Sequence, residues 1–267
     1  MADDPALERP EDDVEMTFFE HLAELRKRLL WSLAAFVPAF AVSWWFREEL
    51  LMTLQAPLLE ALRIYQPDAP PDIKYTSITE PVVAYLQVCA IAGLVLAAPW
   101  VSYQLWLFVS PGLYKREKRF VIPFILASTL FFAGGVAFCY FIVLGPAFQT
   151  LMEFAGPSMS PMLTVKEYLT TAVRFLLAFG VTFEVPVVIT FLALTGVVTW
   201  RQLITWSRWW LLASAIVAAL LTPPDVVSQM MVFVPLNVLY WLSIVAAFFF
   251  GPKRVKPGEL TEDGYER

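Results

Sequence analysis

A carboxylate sits in the middle of an apolar run. Glu184 lies in the string Phe179-Gly-Val-Thr-Phe-Glu184-Val-Pro186. Placing an acid at the centre of a bilayer costs about 2.5–3.5 kcal/mol on insertion scales, so such a residue faces a bundle interior or a wet cavity rather than lipid. Two readings follow: an acid satisfied by nearby backbone, or a functional group held inside a cavity. Pro186 has no N–H, so it frees a carbonyl one turn back and favours a kink beside the acid. Arg174, ten residues earlier, lies ~15 Å away along a helix. It is expected to snorkel outward rather than pair with Glu184.

Two further acids stand among bases. In HLAELRKRLL (21–30), Glu24 is followed by Arg26, Lys27 and Arg28. Leu22, Leu25 and Leu29 share one helical face, Thr17 and Glu20 have capping-box spacing, and Glu24 with Arg28 can form an i,i+4 pair worth about 0.3–0.5 kcal/mol. An ordinary interfacial helix and a docking site for a cation both fit this segment, Glu20 and His21 included. Glu117 is a lone acid among Lys115, Arg116, Lys118 and Arg119. It either neutralises its neighbours or waits for an incoming cation, with Phe108 and Tyr114 as an apolar floor. In Leu221-Thr-Pro223-Pro224-Asp225, Asp225 is placed to cap the following helix. Gln229, Asn237 and Ser243 suit contacts between helices.

Other chemistries are missing. The chain has one histidine, His21, and no Gly-rich loop ending in Lys-Ser/Thr, so neither a histidine-based metal site nor nucleotide hydrolysis is indicated. No G-x-S-x-G nucleophile string occurs. Cys89 and Cys139 lie in apolar runs and read as small buried hydrophobes. No cofactor, metal or nucleic-acid partner is expected.

The elements that must position these residues are membrane spans. Of 267 residues, 58% are apolar and 16% charged, against roughly 45–50% and about 25% in soluble domains. Six apolar segments, at 29–46, 81–109, 120–148, 168–198, 209–221 and 226–250, read as transmembrane helices. Lys and Arg divide their flanks. Arg26, Lys27, Arg28, Lys115, Arg116, Lys118, Arg119, Arg201, Arg208, Lys253, Arg254 and Lys256 fall on one side. The opposite flanks are sparse, and 222–228 carries none. The positive-inside rule then puts both termini in the cytoplasm, and tryptophans at the segment ends fit interfacial belts.

Residues 1–16 read as a disordered acidic tail, 17–250 as a six-helix domain and 251–267 as a cytoplasmic tail. The acidic start does not look like a cleavable signal or a transit peptide, which favours a prokaryotic plasma membrane. The proline-rich stretch 56–80 reads as a stiff extended outer cap rather than a helix, and 149–167 as a second ordered outer loop. The fifth segment, at about 13 residues or ~20 Å, is short for a ~30 Å hydrocarbon core. Either local thinning of the bilayer or a helical extension through 204–208 resolves the mismatch.

Taken together, HLAELRKRLL (21–30), APLLEAL (56–62), APWVSYQLWLFVSPGLYKREKR (98–119), AFGVTFEVPV (178–187) and LLTPPDVVSQ (220–229) resemble the TatC family, the large subunit of the twin-arginine translocase. The resemblance covers about 18–250. It implies an all-α integral membrane protein with six transmembrane helices, both termini inside, shaped as a curved wall with ordered periplasmic loops and a short fifth helix. It implies a non-enzymatic receptor that binds twin-arginine signal peptides of folded cargo, recruits TatA- and TatB-type single-span subunits, self-associates in the complex and runs on the proton-motive force. By the same resemblance Glu24 and Glu117 are the motif-binding acids, and Arg26, Pro57, Phe108 and Tyr114 belong with them. Glu184 is the intramembrane acid, and Trp209, Leu212, Ser214 and Gln229 contact a partner helix. Pro223, Pro224 and Asp225 form the outer turn. Arg174 departs from the family pattern, which leaves its position uncharged.

Two other classes compete. A proton-coupled small-solute transporter using Glu184 predicts paired repeats and further mid-membrane charge, whereas the hydropathy shows no duplication. An intramembrane enzyme requires a catalytic pair or metal site inside the spans.

Overall fold

The computed structural model describes residues 18–65, 73–109, 121–155, 164–222 and 225–251. They form eight α-helices: α1 (Phe18–Trp45), α2 (Arg47–Tyr65), α3 (Glu80–Val109), α4 (Val121–Phe138), α5 (Leu144–Ala155), α6 (Val165–Leu194), α7 (Trp200–Leu221) and α8 (Val226–Phe250). A π-helical turn, Cys139–Val143, joins α4 to α5. Six stretches are long and apolar enough to cross a bilayer, the third being Val121–Glu153. Among the described residues the only strand-like pairing is an isolated parallel bridge between Lys74 and Thr164. There Val165 N–H donates to Lys74 O at 3.0 Å and sews the two loops of one face together.

The spans stand in a row. α1 packs mainly on α3, α3 on α4 and α6, α4 on α6, α6 on α8, and α8 on α7. Small residues allow the closest approaches, as expected where dispersion rather than hydrophobic exclusion holds helices together. At Gly135 of α4, an added Cβ would lie 2.5 Å from Phe179 O and 2.9 Å from Phe183 Cβ on α6. At neighbouring Gly134 it would meet nothing within 4 Å. Gly135→Ala is therefore expected to cost about 1–3 kcal/mol through overpacking, while Gly134→Ala is neutral or slightly stabilising. Thermal unfolding of the two variants in detergent checks this, and equal midpoints would refute the α4–α6 contact.

Two sequence expectations change, and a third is decided between its two readings. The stretch from 56 is not an extended cap, because α2 runs as a helix through Pro57 to Tyr65. A proline inside a helix costs ~3 kcal/mol, since it removes one hydrogen bond and clashes with the carbonyl four residues back. Here that carbonyl is recovered, because Tyr140 Oη–H donates to Thr53 O at 2.7 Å. The next one, Leu54 O, accepts from Tyr168 Oη. Buried Leu54, Leu58, Ala61 and Leu62 then anchor α2 on the core.

The third span also continues beyond 148, as α5 to Ala155, through the π turn. Leu144 N–H reaches back five residues to Cys139 O, a widened turn of the kind that re-aims side chains. Tyr140 stands in that turn.

Among the described residues the fifth span is the shortest of the six at 22 residues, and the helical extension through 204–208 is the reading that holds. It starts at Trp200, closed by a capping box in which Thr199 and Gln202 exchange side-chain and backbone bonds. At 1.5 Å per residue it reaches about 33 Å, so helix length alone demands no thinning of the bilayer. The expected tails, the Thr17 cap and most of the loops at 66–72 and 156–163 lie outside the described residues.

Candidate functional site

The N-terminal face gathers the first group of candidates at the start of α1 and the end of α3. Glu24 lies one turn before Arg28, and Arg28 Nη2 donates to Glu24 Oε1 at 3.0 Å. Only 15% of the Glu24 side chain is exposed. Its second oxygen, Oε2, is buried without a hydrogen-bond partner, as is Arg28 Nε. One carboxylate oxygen is thus committed to a neighbour while the other has acceptor capacity to spare, a costly state for a shielded anion.

Beside the pair, His21 and Phe108 stack with ring centroids 4.4 Å apart and planes 23° from parallel. This contact ties the start of α1 to the end of α3 and builds a flat aromatic plate. Arg26 is exposed on the same helix. Glu117 and Tyr114 lie outside the described residues. Pro57 does not join the group. It belongs to α2, beyond the far end of α1, and the 21 residues from Glu24 to Trp45 span ~32 Å of helix. Its observed surroundings are those of a proline inside a continuous helix, with Thr53 O and Leu54 O bonded to two tyrosines.

The second site is inside the wall. α6 runs unbroken through Pro186 and presents half-buried Glu184 to α4. Ser128 Oγ lies 3.0 Å from Glu184 Oε1 and 2.9 Å from Oε2. Ser128 Oγ is also 2.9 Å from Ser102 Oγ on α3. A hydroxyl has one proton to give. If Ser128 donates to the carboxylate, Ser102 must donate to Ser128, so the three side chains form a directional chain across α3, α4 and α6. Ser102 and Ser128 are both buried. Neither stands out in the sequence, and the only hint was a hydroxyl residue isolated within an apolar span. Arg174 is exposed on α6, away from this chain.

The third region comprises α7, α8 and the turn between them. Asp225 caps α8, its Oδ2 accepting from Ser228 N–H at 2.6 Å, as its position in the sequence indicated. Pro223 and Pro224 lie outside the described residues. Gln229 is half-buried one turn into α8. Trp209, Leu212, Ile216 and Leu220 line one exposed stripe of α7. Ser214 does not lie on it. It is buried at 2% exposure and accepts from Asn237 Nδ2 at 3.1 Å, within the α7–α8 seam. Its helical phase points Ser214 at α8, apart from the exposed stripe that carries Trp209 and Leu212. In the same seam Trp210 and Tyr240 stack face to face at 4.8 Å, and Tyr240 Oη–H donates to Leu203 O at 2.7 Å. Among the described residues no group of three or more His, Cys, Asp or Glu side chains could hold a metal ion.

Known proteins share this arrangement. The family model described as Sec-independent protein translocase protein (TatC) matches residues 20–235. A protein of that description from Koribacter versatilis is 38% identical over 256 residues, covering 94% of this chain and 92% of the relative. Another from Desulforapulum autotrophicum is 41% identical over 243 residues, covering 91% and 88%. A crystal structure of the twin arginine translocase receptor TatC superposes with a TM-score of 0.75 at 33% identity, covering 88% of this chain and all of that one. A second such structure gives 0.74. With the profile spanning most of its length and relatives this similar from end to end, the chain belongs to the TatC family of Sec-independent protein translocase proteins.

Proposed function

We propose that this protein is the receptor subunit of a twin-arginine translocase in a prokaryotic plasma membrane, with both termini in the cytoplasm. Its N-terminal face binds the paired arginines of signal peptides on folded cargo, with Glu24 and Glu117 as the two acceptors. The observation that carries this reading is Glu24 itself: a shielded carboxylate with one oxygen bonded to Arg28 and the other unpartnered. An incoming guanidinium offers the missing donors, and its planar fork suits a carboxylate where an ammonium does not. The His21–Phe108 pair provides a flat aromatic surface for the segment that follows the arginines.

Recruitment of TatA- and TatB-type single-span subunits fits the exposed apolar stripe of α7, and self-association completes the assembly. Glu184, bonded through Ser128 inside the wall, serves the transport step, which draws on the proton-motive force.

Signal peptides carrying two lysines in place of two arginines are expected to bind about tenfold or more weakly, because each lost charge-assisted hydrogen bond is worth ~1.5–3 kcal/mol. Fluorescence titration of both peptides on the purified protein measures the difference, and equal affinities would remove the basis for a carboxylate fork. Uptake of small solutes by the protein in liposomes would favour the transporter reading.

A further inference from the structure

On the face opposite the N-terminus, a groove of about 520 Å³ opens among the end of α1, the start of α2, the first half of α3 and the π turn. Its walls include Phe46, Leu50, Val88, Ala92, Leu96 and Leu176. The three hydroxyl groups at its edge are already spent on backbone carbonyls: Ser43 on Ala39 O, Thr53 on Glu49 O and Tyr140 on Thr53 O. An occupant therefore meets hydrocarbon and finds no free hydrogen-bonding partner among them.

Dimensions narrow the choice. Along α3 the groove runs from Val88 to Leu96, which is ~12 Å of helix and less than half the ~30 Å hydrocarbon thickness. A spanning helix is more than twice as long as this slot, whereas one acyl chain of a single leaflet matches its length.

The rim supplies the charges. Arg47 stands directly after Phe46, its guanidinium 5.7 Å from the Trp44 ring centroid and 5.8 Å from that of Tyr85. Aromatic rings of this kind sit at headgroup level. The polar contacts of Arg47 are long, 3.4 Å to Trp44 O and 3.4 Å to Glu48 Oε1, so most of its donors are uncommitted. Glu48 and Glu49 flank it and are exposed. A cation beside two anions, next in the chain to Phe46 of the slot wall, complements a zwitterion.

We propose that this groove is a binding site for one phosphatidylethanolamine molecule. An acyl chain fills the slot, the phosphate rests on Arg47, and the primary ammonium reaches Glu48 and Glu49. The proposal stands on the groove and its rim, independently of signal-peptide recognition.

Native mass spectrometry of the full-length protein, delipidated and then titrated with phosphatidylethanolamine or phosphatidylglycerol, tests it. Wild type is expected to retain one phosphatidylethanolamine in preference to phosphatidylglycerol. Arg47→Gln removes the phosphate contact and is expected to weaken retention about tenfold, the scale of one hydrogen bond to a charged group. Ala92→Trp fills the slot and is expected to abolish retention, with Ala92→Leu as a smaller blocking change should tryptophan impair folding. Glu48→Gln with Glu49→Gln is expected to erase the preference between the two lipids. Unchanged retention in the folded slot-filling variants, or equal retention of both lipids by wild type, would overturn the proposal. So would photocrosslinking from position 92 that captures polypeptide instead of lipid.

Discussion

Replacing Glu24 and Glu117 together by alanine is expected to reduce twin-arginine peptide binding by more than a hundredfold while leaving the protein folded. Each acid contributes hydrogen bonds to a charged group, worth about 1.5–3 kcal/mol apiece, and two such losses fall on one ligand. The cost to the fold is small by comparison. Among the described residues Glu24 bonds to Arg28 at i,i+4 within one helix, and such pairs are worth about 0.3–0.5 kcal/mol when exposed. Glu24→Gln alone keeps the shape of the side chain and removes the charge, and it should lose about a tenth as much in the fold-change, since one acceptor survives elsewhere. The measurement is peptide titration beside a thermal unfolding curve for each variant. Normal crosslinking of signal peptide to a folded double variant would be incompatible with the assignment of these two acids.

Ser128→Ala is expected to produce the largest effect at the inner site, because it strips Glu184 of its only hydrogen-bonding side chain among the described residues and leaves the Ser102 hydroxyl without its partner. A buried polar group deprived of its bond costs about 1–3 kcal/mol. Ser128→Thr keeps a hydroxyl on the same carbon and should restore most of what alanine removes. Two readouts separate a bonding role from simple packing. One is the infrared band of the Glu184 carboxyl group, identified by its loss in Glu184→Gln. The other is the export rate of a twin-arginine cargo. The band should move in Ser128→Ala and return in Ser128→Thr, with export following. If export falls equally in both variants while the band stays in place, Ser128 is there for packing alone.

What could be read in the chain beforehand was local. Six spans follow from runs of apolar residues. The Asp225 cap and the Glu24–Arg28 pair are contacts within one turn, so three- and four-residue spacings reveal them. The start of α7 is local too, since Thr199 and Gln202 have capping-box spacing. The misses were contacts between distant residues. α2 survives Pro57 because acceptors are claimed by tyrosines 87 and 114 residues further along, and no local pattern around Pro57 reports that. Ser128 meets Glu184 across 56 residues and Ser102 across 26. Ser214 turned inward because helical phase, rather than residue type, decides which side faces α8.

With Ser214 withdrawn into its seam, the outward stripe of α7 offers almost nothing but carbon. In a bilayer such a surface has no oil-from-water driving force to exploit, since lipid tails compete for it on nearly equal terms. A partner helix docked there, as proposed, would be held by shape and would leave readily, so short residence is expected over permanent attachment.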